Sequence, residues 1–443
     1  MSHATTTLNR FRIWCDSEQK YVFVWSAGDD VPTQCPNDST HTIDTFSAVI
    51  VDSLERKTTE ISNLPVTPFD RILTSEETVV VDVKPGMGLS RLRDKVHTVG
   101  TGSVISEVGD WEYALSVDGA GAVASLQTAE RGPFVSGLCA EVGIGGRLGA
   151  FPQGDQTVRY GAFDPESGNG YFLEVSSIGV SAVVMKDGNE KHRAHMTQFN
   201  VDTMDGQGPS KLILDASRGY AWTIRYAMYG YGCIEFAVAA ENINLEQHIV
   251  PMHRYYTRSD PSISCSYLPV WVEVASPTQD TPVSAFVTGR KHSVLGAYHP
   301  DRRETHVARQ VSAGSTPSFT VLAVRKKAQC VSLPVSIEGI ETCWSLSQPL
   351  LLEIVLGTTQ ESTSWSSVEG QPSSESVIEI ADGVDVLEAD PQAVVLWRGF
   401  GHTIPRFASV NANLVDDSAI CVRTTNASQA GLLSICLHVS ECW

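Results

Sequence analysis

The stretch from Trp222 to Val238, WTIRYAMYGYGCIEFAV, decides the fold class of this chain. Large apolar side chains occupy every second position on both sides of a glycine and tyrosine corner. Successive side chains of a β-strand point to opposite faces of a sheet, so the alternation predicts one buried and one exposed face. Gly230 and Gly232 free the backbone to turn between the two halves. The stretch therefore predicts a scaffold hairpin with these side chains packed inward: Trp222, Ile224, Tyr226 and Met228 on the first strand, and Ile234, Phe236 and Val238 on the second.

The same period of two recurs along the whole chain, whereas apolar residues at helical spacing are rare. Many short strands separated by Gly, Pro, Asn and Asp turns are typical of β-sandwiches rather than of a parallel α/β sheet. We therefore predict an all-β, multi-domain chain with a short helix only at Gly88–Val96. Clear strands are predicted at Tyr21–Trp25, Ser47–Val51, Thr78–Val83, Tyr171–Val175, Val180–Met185, Tyr220–Tyr226, Ile234–Ala239, Pro269–Val274, Phe319–Val324, Leu350–Leu356, Val394–Trp397 and Leu432–Val439.

Composition divides the chain into three predicted domains, which agrees with a length of 443 residues. A small N-terminal β module covers residues 1–67 and ends at the linker-like passage SNLPVTPFD. A central β-sandwich covers residues 68–277 and contains the Trp222–Val238 hairpin. The passage SPTQDTP leads out of it into a C-terminal β-sandwich at residues 278–443.

Charge and hydropathy exclude two classes of partner. The chain carries 51 acidic and 32 basic residues, a formal net charge of -19, without a segregated basic patch, so we expect no nucleic-acid binding. No apolar run approaches the roughly 20 residues of a bilayer span, and the N-terminus lacks the apolar segment of a secretory signal. We therefore expect no membrane span and synthesis in a cytosol, where most of the ten cysteines would be buried thiols.

The common catalytic and cofactor motifs are absent. The chain has no GxSxG elbow, no HExxH and no CxxC pair, and GIGGRLG at residues 143–149 fails both the P-loop and the GxGxxG patterns, so we predict a sharp turn or bulge there. Glu174 and Glu235 are candidates for the carboxylate pair of a glycosidase, but the sequence does not bring them together. Solvated positions on outer strand faces are predicted for both, and no catalytic residue or cofactor is assigned.

Cys15, Cys35 and His41 form the one cluster with residue types that suit a metal. Zinc sites usually have four ligands and a closely spaced pair such as CxxC, whereas here three residues are widely spaced. The spacing favours two buried thiols and a turn histidine, so no metal is assigned, and whether the three residues hold one stays open.

Separate stretches spread over most of the chain carry a family resemblance. They are FRIWCDSEQKYVFVWS and PTQCPNDSTHTID (within 11–44), LQTAERGPFVSGLCAEVGIGGRLGAFPQGDQTVRYGAFD (126–164), GNGYFLEV (168–175), FNVDTMDGQGPSKLILDASRGYAWTIRYAMYGYGCIEFAV (199–238), LPVWVEV (268–274), FTVLAVRKKAQ (319–329), LLLEIVLG (350–357) and SWSSVEG (364–370). In this order they resemble the N-terminal module, central sandwich and C-terminal domain of a family of structural proteins from tailed phages and large double-stranded DNA viruses of microbial eukaryotes. The passage HPDRRETHVARQ (299–310) is longer and more charged than the family pattern.

The resemblance implies jelly-roll-like or concanavalin-like sandwiches in a virus particle that is assembled in the host cytoplasm. It implies no catalytic residues, so we expect that the protein is not an enzyme. The leading hypothesis is a structural component of the virion, a minor capsid, vertex, spike, tail or tail-fibre protein, that acts through contacts with other virion proteins. A homo-oligomer, either a trimer or a pentamer, is the expected state.

Two alternatives follow from the same patterns. The first is a glycan-binding host-attachment protein of the virion, because sandwich patterning is combined with aromatic residues at turns. The second is a virion-bound glycoside hydrolase that uses Glu174 and Glu235. The aromatic residues that are candidates for interface contacts are Tyr229, Tyr231, Tyr255 and Tyr256.

Overall fold

The chain forms two compact units, Met1–Val66 and Thr67–Trp443. In the described residues it has 28 β-strands and two 3₁₀ helices, Met196–Gln198 and Ala328–Cys330, so the predicted all-β class is confirmed. None of the helices in this part of the chain has the length and apolar character of a membrane span. The computed structural model describes residues 6–27, 31–56, 77–107, 109–228, 230–241, 247–257, 260–263, 267–296, 298, 302–313, 318–330, 333–344, 350–359, 364–368, 376–381, 393–401, 407–414, 418–425 and 431–442.

The N-terminal unit is a three-stranded antiparallel sheet. Its strands are β1 (Thr6–Cys15), β2 (Lys20–Ala27) and β3 (Ile43–Arg56), in the order β2-β1-β3. A tight turn joins β1 to β2, and a longer connection that includes residues 31–42 leads to β3.

Fifteen strands form the two sheets of the central sandwich. A seven-stranded sheet has the order β13-β12-β11-β10-β17-β8-β5, and an eight-stranded sheet has the order β16-β15-β14-β9-β18-β7-β6, with β4 paired to β18. These strands are β4 (Glu77–Val83), β5 (Asp94–Val99), β6 (Ser103–Ile105), β7 (Tyr113–Val117), β8 (Ala122–Thr128), β9 (Cys139–Ala150), β10 (Thr157–Asp164), β11 (Asn169–Ser176), β12 (Gly179–Lys186), β13 (Asn189–His195), β14 (Tyr220–Ala227), β15 (Cys233–Glu241), β16 (Gln247–Tyr256), β17 (Val270–Ser276) and β18 (Val283–Leu295).

The inner faces of these two sheets form the main core, in a jelly-roll-like or concanavalin-like sandwich. The hairpin of β14 and β15 has the predicted orientation, because the alternate apolar residues of both strands are buried in this core. Trp222 is only 3% exposed and stacks on Tyr160 of the facing sheet, with ring centroids 5.7 Å apart. The alternation in the sequence therefore identified the buried face of this hairpin correctly.

The helix predicted at Gly88–Val96 is wrong. A turn at residues 91–93 leads directly into β5, which begins at Asp94. The Asp94 carboxylate is buried between the sheets, where it pairs with the guanidinium of Arg290 from β18. This long-range ion pair fixes an extended backbone at a position where local propensity favours a helix.

The passage GIGGRLG lies within the long strand β9 and does not form a turn. A bulge lies instead on the neighbouring strand β18. There Thr288 and Gly289 together oppose the single residue Gly145, between the pairs Val287↔Gly146 and Arg290↔Ile144. Because β18 belongs to the eight-stranded sheet, the central sandwich extends past residue 277, where the sequence predicted its end.

The C-terminal strands form a second sandwich of a four-stranded sheet, β19-β28-β21-β26, and a six-stranded sheet, β23-β24-β20-β27-β22-β25. Leu92 and Ala129 of the central sandwich pack against its core, and Arg91 Nη2 donates to Ser418 Oγ at 3.0 Å. The strands are β19 (Arg302–Ala313), β20 (Ser318–Lys326), β21 (Val335–Trp344), β22 (Leu350–Gly357), β23 (Ser366–Ser367), β24 (Ile378–Ala381), β25 (Val394–Gly401), β26 (Phe407–Asn413), β27 (Ala419–Thr425) and β28 (Gly431–Cys442).

Candidate functional site

A groove of about 610 Å³ crosses the outer face of the eight-stranded sheet. Its floor includes Gly145 of β9, Ala221 of β14 and Ala239 of β15, which are directly paired neighbours across the three strands. Thr288, in the bulge of β18, extends the floor on the side of β9. Volumes of 300 to 1,000 Å³ are typical of ligand clefts, by the usual rough range.

A second row of small residues continues the same outer face beyond the groove lining, where two of its members, Thr223 (5% exposed) and Ala237 (0% exposed), are covered. Gly143, Thr223 and Ala237 are paired across the same three strands, two residues along each strand from the first row. Alternate side chains point to the same face, so both rows belong to the outer face, while the residues between them point into the core. We call these six residues the small-residue floor: Gly143, Gly145, Ala221, Thr223, Ala237 and Ala239.

A line of alternating charges borders the small-residue floor on one side. Arg225 Nε contacts Glu141 Oε2 at 2.7 Å, and Arg225 Nη1 contacts Glu235 Oε1 at 3.3 Å. Glu235 also accepts from Arg254 at 2.7 Å. Each charge is therefore neutralised by its neighbour on the next strand. The full line, called the charge ladder below, consists of Arg254 (β16), Glu235 (β15), Arg225 (β14), Glu141 (β9), Lys291 (β18) and Glu77 (β4).

Hydrogen-bonding and apolar side chains line the rest of the groove. Arg147 forms a two-point ion pair with Glu112, at 2.8 and 2.7 Å, and its guanidinium lies 4.0 Å from the ring centroid of Phe286. Glu241 and Gln247 lie at the ends of β15 and β16. Both side chains are exposed and line the groove, so their polar atoms are accessible to a ligand.

The segment between β13 and β14 supplies an apolar wall. Leu212 and Ile213 line the groove, and Ile213 is 72% exposed, which is high for so large an apolar side chain. Asp202 holds the segment in place, because its buried carboxylate accepts from the backbone N–H groups of Met204 at 2.8 Å and Ser210 at 2.7 Å. The wall is thus anchored by a buried side chain, although it lies outside the regular strands.

Glu174 and Glu235 lie on opposite outer faces of the sandwich. Glu174 belongs to β11 of the seven-stranded sheet, where it pairs with Arg159 at 2.8 Å and with Arg193 at 2.6 Å. These two guanidinium groups outweigh the effect of burial and hold the pKa of the Glu174 carboxyl below its usual value. Glu235 belongs to the charge ladder on the other sheet, so the two carboxylates cannot act on one bond.

The tyrosines singled out in the sequence have different environments. Tyr231 and Tyr256 are each 57% exposed. Tyr255 is half-buried and stacks on His192 with ring centroids 4.4 Å apart. Tyr229 lies outside the described residues. The aromatic residue with the largest exposed fraction among the described large hydrophobic side chains is Trp111, at 85%, which was not singled out from the sequence.

The structure brings Cys15, Cys35 and His41 together at one end of the N-terminal sheet, and it adds Glu18, which sequence reasoning missed. The signal for Glu18 was its position three residues after Cys15, since a tight turn places such a pair side by side. The groove was missed as well, although alternate glycines in a strand, Gly143 and Gly145, are a known sign of close approach by a ligand or another backbone.

No protein-family model matches the chain, and no curated protein matches it. Among solved structures, it is similar to the exoplasmic/lumenal domain of VIP36 in a Ca²⁺/Man2-bound form, with 13% identity over 49% of this chain and 89% of that one, at a TM-score of 0.30. It is also similar to the carbohydrate recognition domain of Emp47p (12% identity, 50% and 98% covered, TM-score 0.31). A third similar structure is the Bacillus licheniformis β-glucanase, with 9% identity over 49% of this chain and 98% of that one, at a TM-score of 0.31. Similarities at these TM-scores carry no argument about function.

Proposed function

We propose that the groove on the eight-stranded sheet binds a neutral glycan. The observation that carries this proposal is the row of small residues that lines the groove, Gly145, Ala221 and Ala239, next to a rim rich in hydrogen-bonding groups. A sugar ring needs close approach to a flat surface together with donors and acceptors around its edge. Ala221 and Ala239 give the flat surface, and Glu241 and Gln247 contribute donors and acceptors.

The charges around the groove favour an uncharged ligand. Arg147 is already paired with Glu112, and all six members of the charge ladder are paired with one another. A formal net charge of -19 repels polyanions such as sulfated glycans. A polyhydroxylated neutral chain can accept and donate hydrogen bonds to paired charged groups without separating them.

Aromatic surface next to the groove supports the same ligand class. Tyr220 is among the residues that line the groove; its ring packs edge-on against Trp222 at 5.5 Å, and its Oη accepts a hydrogen bond from the Asp215 backbone at 3.2 Å. Trp111 directly precedes Glu112 and presents an exposed indole. Rings with an apolar face and a polar edge suit the faces of sugars, which carry C–H groups.

Binding without cleavage is part of the proposal. Glu141 and Glu235 are the carboxylates nearest the small-residue floor on its ladder side, and each is engaged by two cationic side chains. A general acid must be protonated near neutral pH, which requires a raised pKa. Neither carboxylate lines the groove, and the oxygens of both are occupied by their cationic partners, so neither is placed to protonate a bond of a ligand held there.

We further propose that glycan binding serves host attachment by a virus particle. The support for this step is the resemblance of the stretches quoted above to virion structural proteins. A particle protein with this role presents its groove outward and contacts other virion proteins, or copies of itself in a trimer or pentamer, through other surfaces. Peptide mapping of purified particles and native mass spectrometry of the chain test these two parts.

Titration with soluble polysaccharides tests the groove itself. We expect the full chain to bind at least one of the neutral polymers laminarin, mannan and xylan in isothermal titration calorimetry, and to bind dextran sulfate more weakly. Ala221→Trp places an indole on the groove floor and should lower the affinity at least about tenfold, roughly 1.4 kcal/mol. An aromatic residue on an outer strand face is compatible with β-structure, so the variant should fold.

The matched control is Ser116→Trp, on the outer face of β7 in the same sheet but outside the groove lining. Its cross-strand neighbours, Ser103 and Ser284, are small enough to accommodate the indole. The control should retain wild-type affinity. Equal affinities for Ala221→Trp and wild type, or a folded chain that binds none of the neutral polymers, would contradict the proposal.

A further inference from the structure

Four side chains with metal-binding atoms converge in the N-terminal unit. Cys15 ends β1, Glu18 lies in the turn before β2, and Cys35 and His41 lie in the connection to β3. Their Sγ, carboxylate and imidazole atoms all lie within 4.8 Å of one another. Residues 26 positions apart in the sequence therefore meet at one end of the sheet.

The distances in the cluster suit tetrahedral zinc. His41 Nδ1 lies 3.9 Å from Cys15 Sγ and 3.3 Å from Glu18 Oε1. Zinc–ligand bonds of about 2.0 to 2.3 Å in a tetrahedron place neighbouring ligand atoms roughly 3.3 to 3.8 Å apart. The four side chains need only small movements to close around an ion of this size.

Both cysteines sit at the start of the same kind of turn. The backbone N–H groups of Ser17 and Glu18 point at Cys15 Sγ, in the sequence CDSE. Those of Asn37 and Asp38 point at Cys35 Sγ in the same way, in the sequence CPND. Successive N–H groups directed at one atom form a concave site, and the two cysteines share this turn geometry.

A second layer of side chains surrounds the four candidate ligands. Asp38 Oδ2 lies 3.9 Å from His41 Nε2, the ring nitrogen that faces away from the cluster, and Thr40 fixes Asp38 by donating two hydrogen bonds to Oδ1. Metal-bound histidines usually direct their second nitrogen at such a carboxylate. Asn37 Nδ2 donates to both oxygens of Glu18, at 2.9 and 3.0 Å. These contacts orient the imidazole and the carboxylate toward the cluster.

Among its described side chains, the N-terminal unit buries only a small set of apolar and thiol groups: Phe11, Ile13, Cys15, Val22 and Cys35. The core cluster at this end of the sheet consists of Cys15, Val22 and Cys35, with Ile43 packed against them. Cys15 and Cys35 are free thiols, 0% and 4% exposed, so no disulfide joins the turn to the connection. Domains of this size with a small apolar core usually need a disulfide or a structural metal.

We propose that Cys15, Glu18, Cys35 and His41 bind a structural zinc ion that holds the N-terminal unit folded. Two thiolates and an imidazole select zinc over the oxygen-preferring ions magnesium and calcium. Zn²⁺ with two thiolates and one carboxylate leaves a single negative charge, and Lys20 Nζ, 2.6 Å from Glu18 Oε2, balances it. A closed set of four protein ligands is typical of a structural site and leaves no position for a substrate.

Metal analysis of the full chain tests this site. We expect the protein purified under reducing conditions without chelator to contain one zinc ion per chain by plasma mass spectrometry. Cys15→Ser and Cys35→Ser should lose most of it. Cys343→Ser, which removes an exposed thiol of β21, is the matched control and should keep the wild-type content.

Cobalt substitution tests the ligands without depending on variants that lose the metal. Co²⁺ in the wild-type chain should give thiolate charge-transfer absorption and the intense visible bands of a tetrahedral site. His41→Cys keeps four ligands and adds a third thiolate, so its charge-transfer absorption should rise by about half. Removal of zinc by a chelator should speed hydrogen exchange in residues 6–56 and leave residues 113–117 unchanged.

Three results would overturn the proposal. One is a reduced, folded chain that contains no zinc and gives no cobalt bands. Another is a Cys15–Cys35 disulfide in the freshly purified protein. The third is an unchanged zinc content in Cys35→Ser, which would place the metal elsewhere.

Discussion

Removal of the Trp222 indole should destabilise the central sandwich by about 4 kcal/mol. The side chain is 3% exposed, stacks on Tyr160 at 5.7 Å with an interplanar angle of 18°, and meets Tyr220 edge-on at 5.5 Å. A buried aromatic residue removes about 150 to 250 Å² from water, which at about 25 cal/mol per Å² gives roughly 4 to 6 kcal/mol as an upper estimate. Measured truncations of buried aromatic residues cost about 3 to 5 kcal/mol.

Native-state hydrogen exchange is the suitable assay for Trp222→Ala, because a chain with several domains does not unfold in one two-state step. Peptides from β14 and β15 should exchange about a thousandfold faster in the variant, since each tenfold corresponds to about 1.4 kcal/mol. Trp111→Ala removes an indole that is 85% exposed and should cost less than about 0.5 kcal/mol. A loss below about 1 kcal/mol for Trp222→Ala, similar to that of the control, would refute the assignment of faces.

Three further predictions concern buried and paired charges. Asp94→Asn leaves the buried Arg290 guanidinium without its carboxylate and should cost the central sandwich about 3 to 5 kcal/mol, measured by native-state hydrogen exchange in β5 and β18. The double variant Asp94→Leu/Arg290→Met should recover most of this loss; additive effects of the two changes would argue against the pair. Burial lowers the pKa of His292 to about 4, so the unfolded chain gains a proton between about pH 6.5 and 4 that the folded chain does not, and the free energy of unfolding should fall over this window by up to about 3 kcal/mol. His292→Gln should remove this part of the pH dependence of the opening free energy that native-state hydrogen exchange reports for β18, and an identical slope in both proteins would contradict the prediction. Glu174→Gln and Glu235→Gln should leave any polysaccharide-degrading activity of the preparation unchanged, because the two residues lie on opposite faces; a loss in both variants would reinstate a catalytic pair.

Local alternation predicted much of the fold. The faces of β14 and β15 follow from the period of two, because Trp222 and Phe236 are placed by the pleat of their own strands. The helix expected at Gly88–Val96 failed because Asp94 is drawn into the sheet by Arg290, a residue 196 positions away. Helix propensity depends on residues that are close in sequence, so it does not account for a distant partner such as Arg290.

The candidate sites depend on register, which the sequence does not display. Arg225 meets Glu235 across the hairpin of β14 and β15, but it meets Glu141 only because β9, with Glu141 84 positions away in sequence, aligns in the same row. Likewise, Cys15 and Cys35 are far apart in sequence, and only the turn geometry of the N-terminal unit brings them within reach of one ion. Alternate glycines in β9 were the one local sign of the groove.

A hydrogen-exchange footprint of bound glycan tests the central claim most directly. The chain would be compared with and without the neutral polysaccharide that binds most tightly in the titrations. We predict slower exchange in residues 143–147, 219–223 and 237–241, which carry the small-residue floor and its ends, and no change in the strands of the seven-stranded sheet. Protection confined to the turns around Tyr231 and Tyr256, or no protection under saturating ligand, would contradict the account.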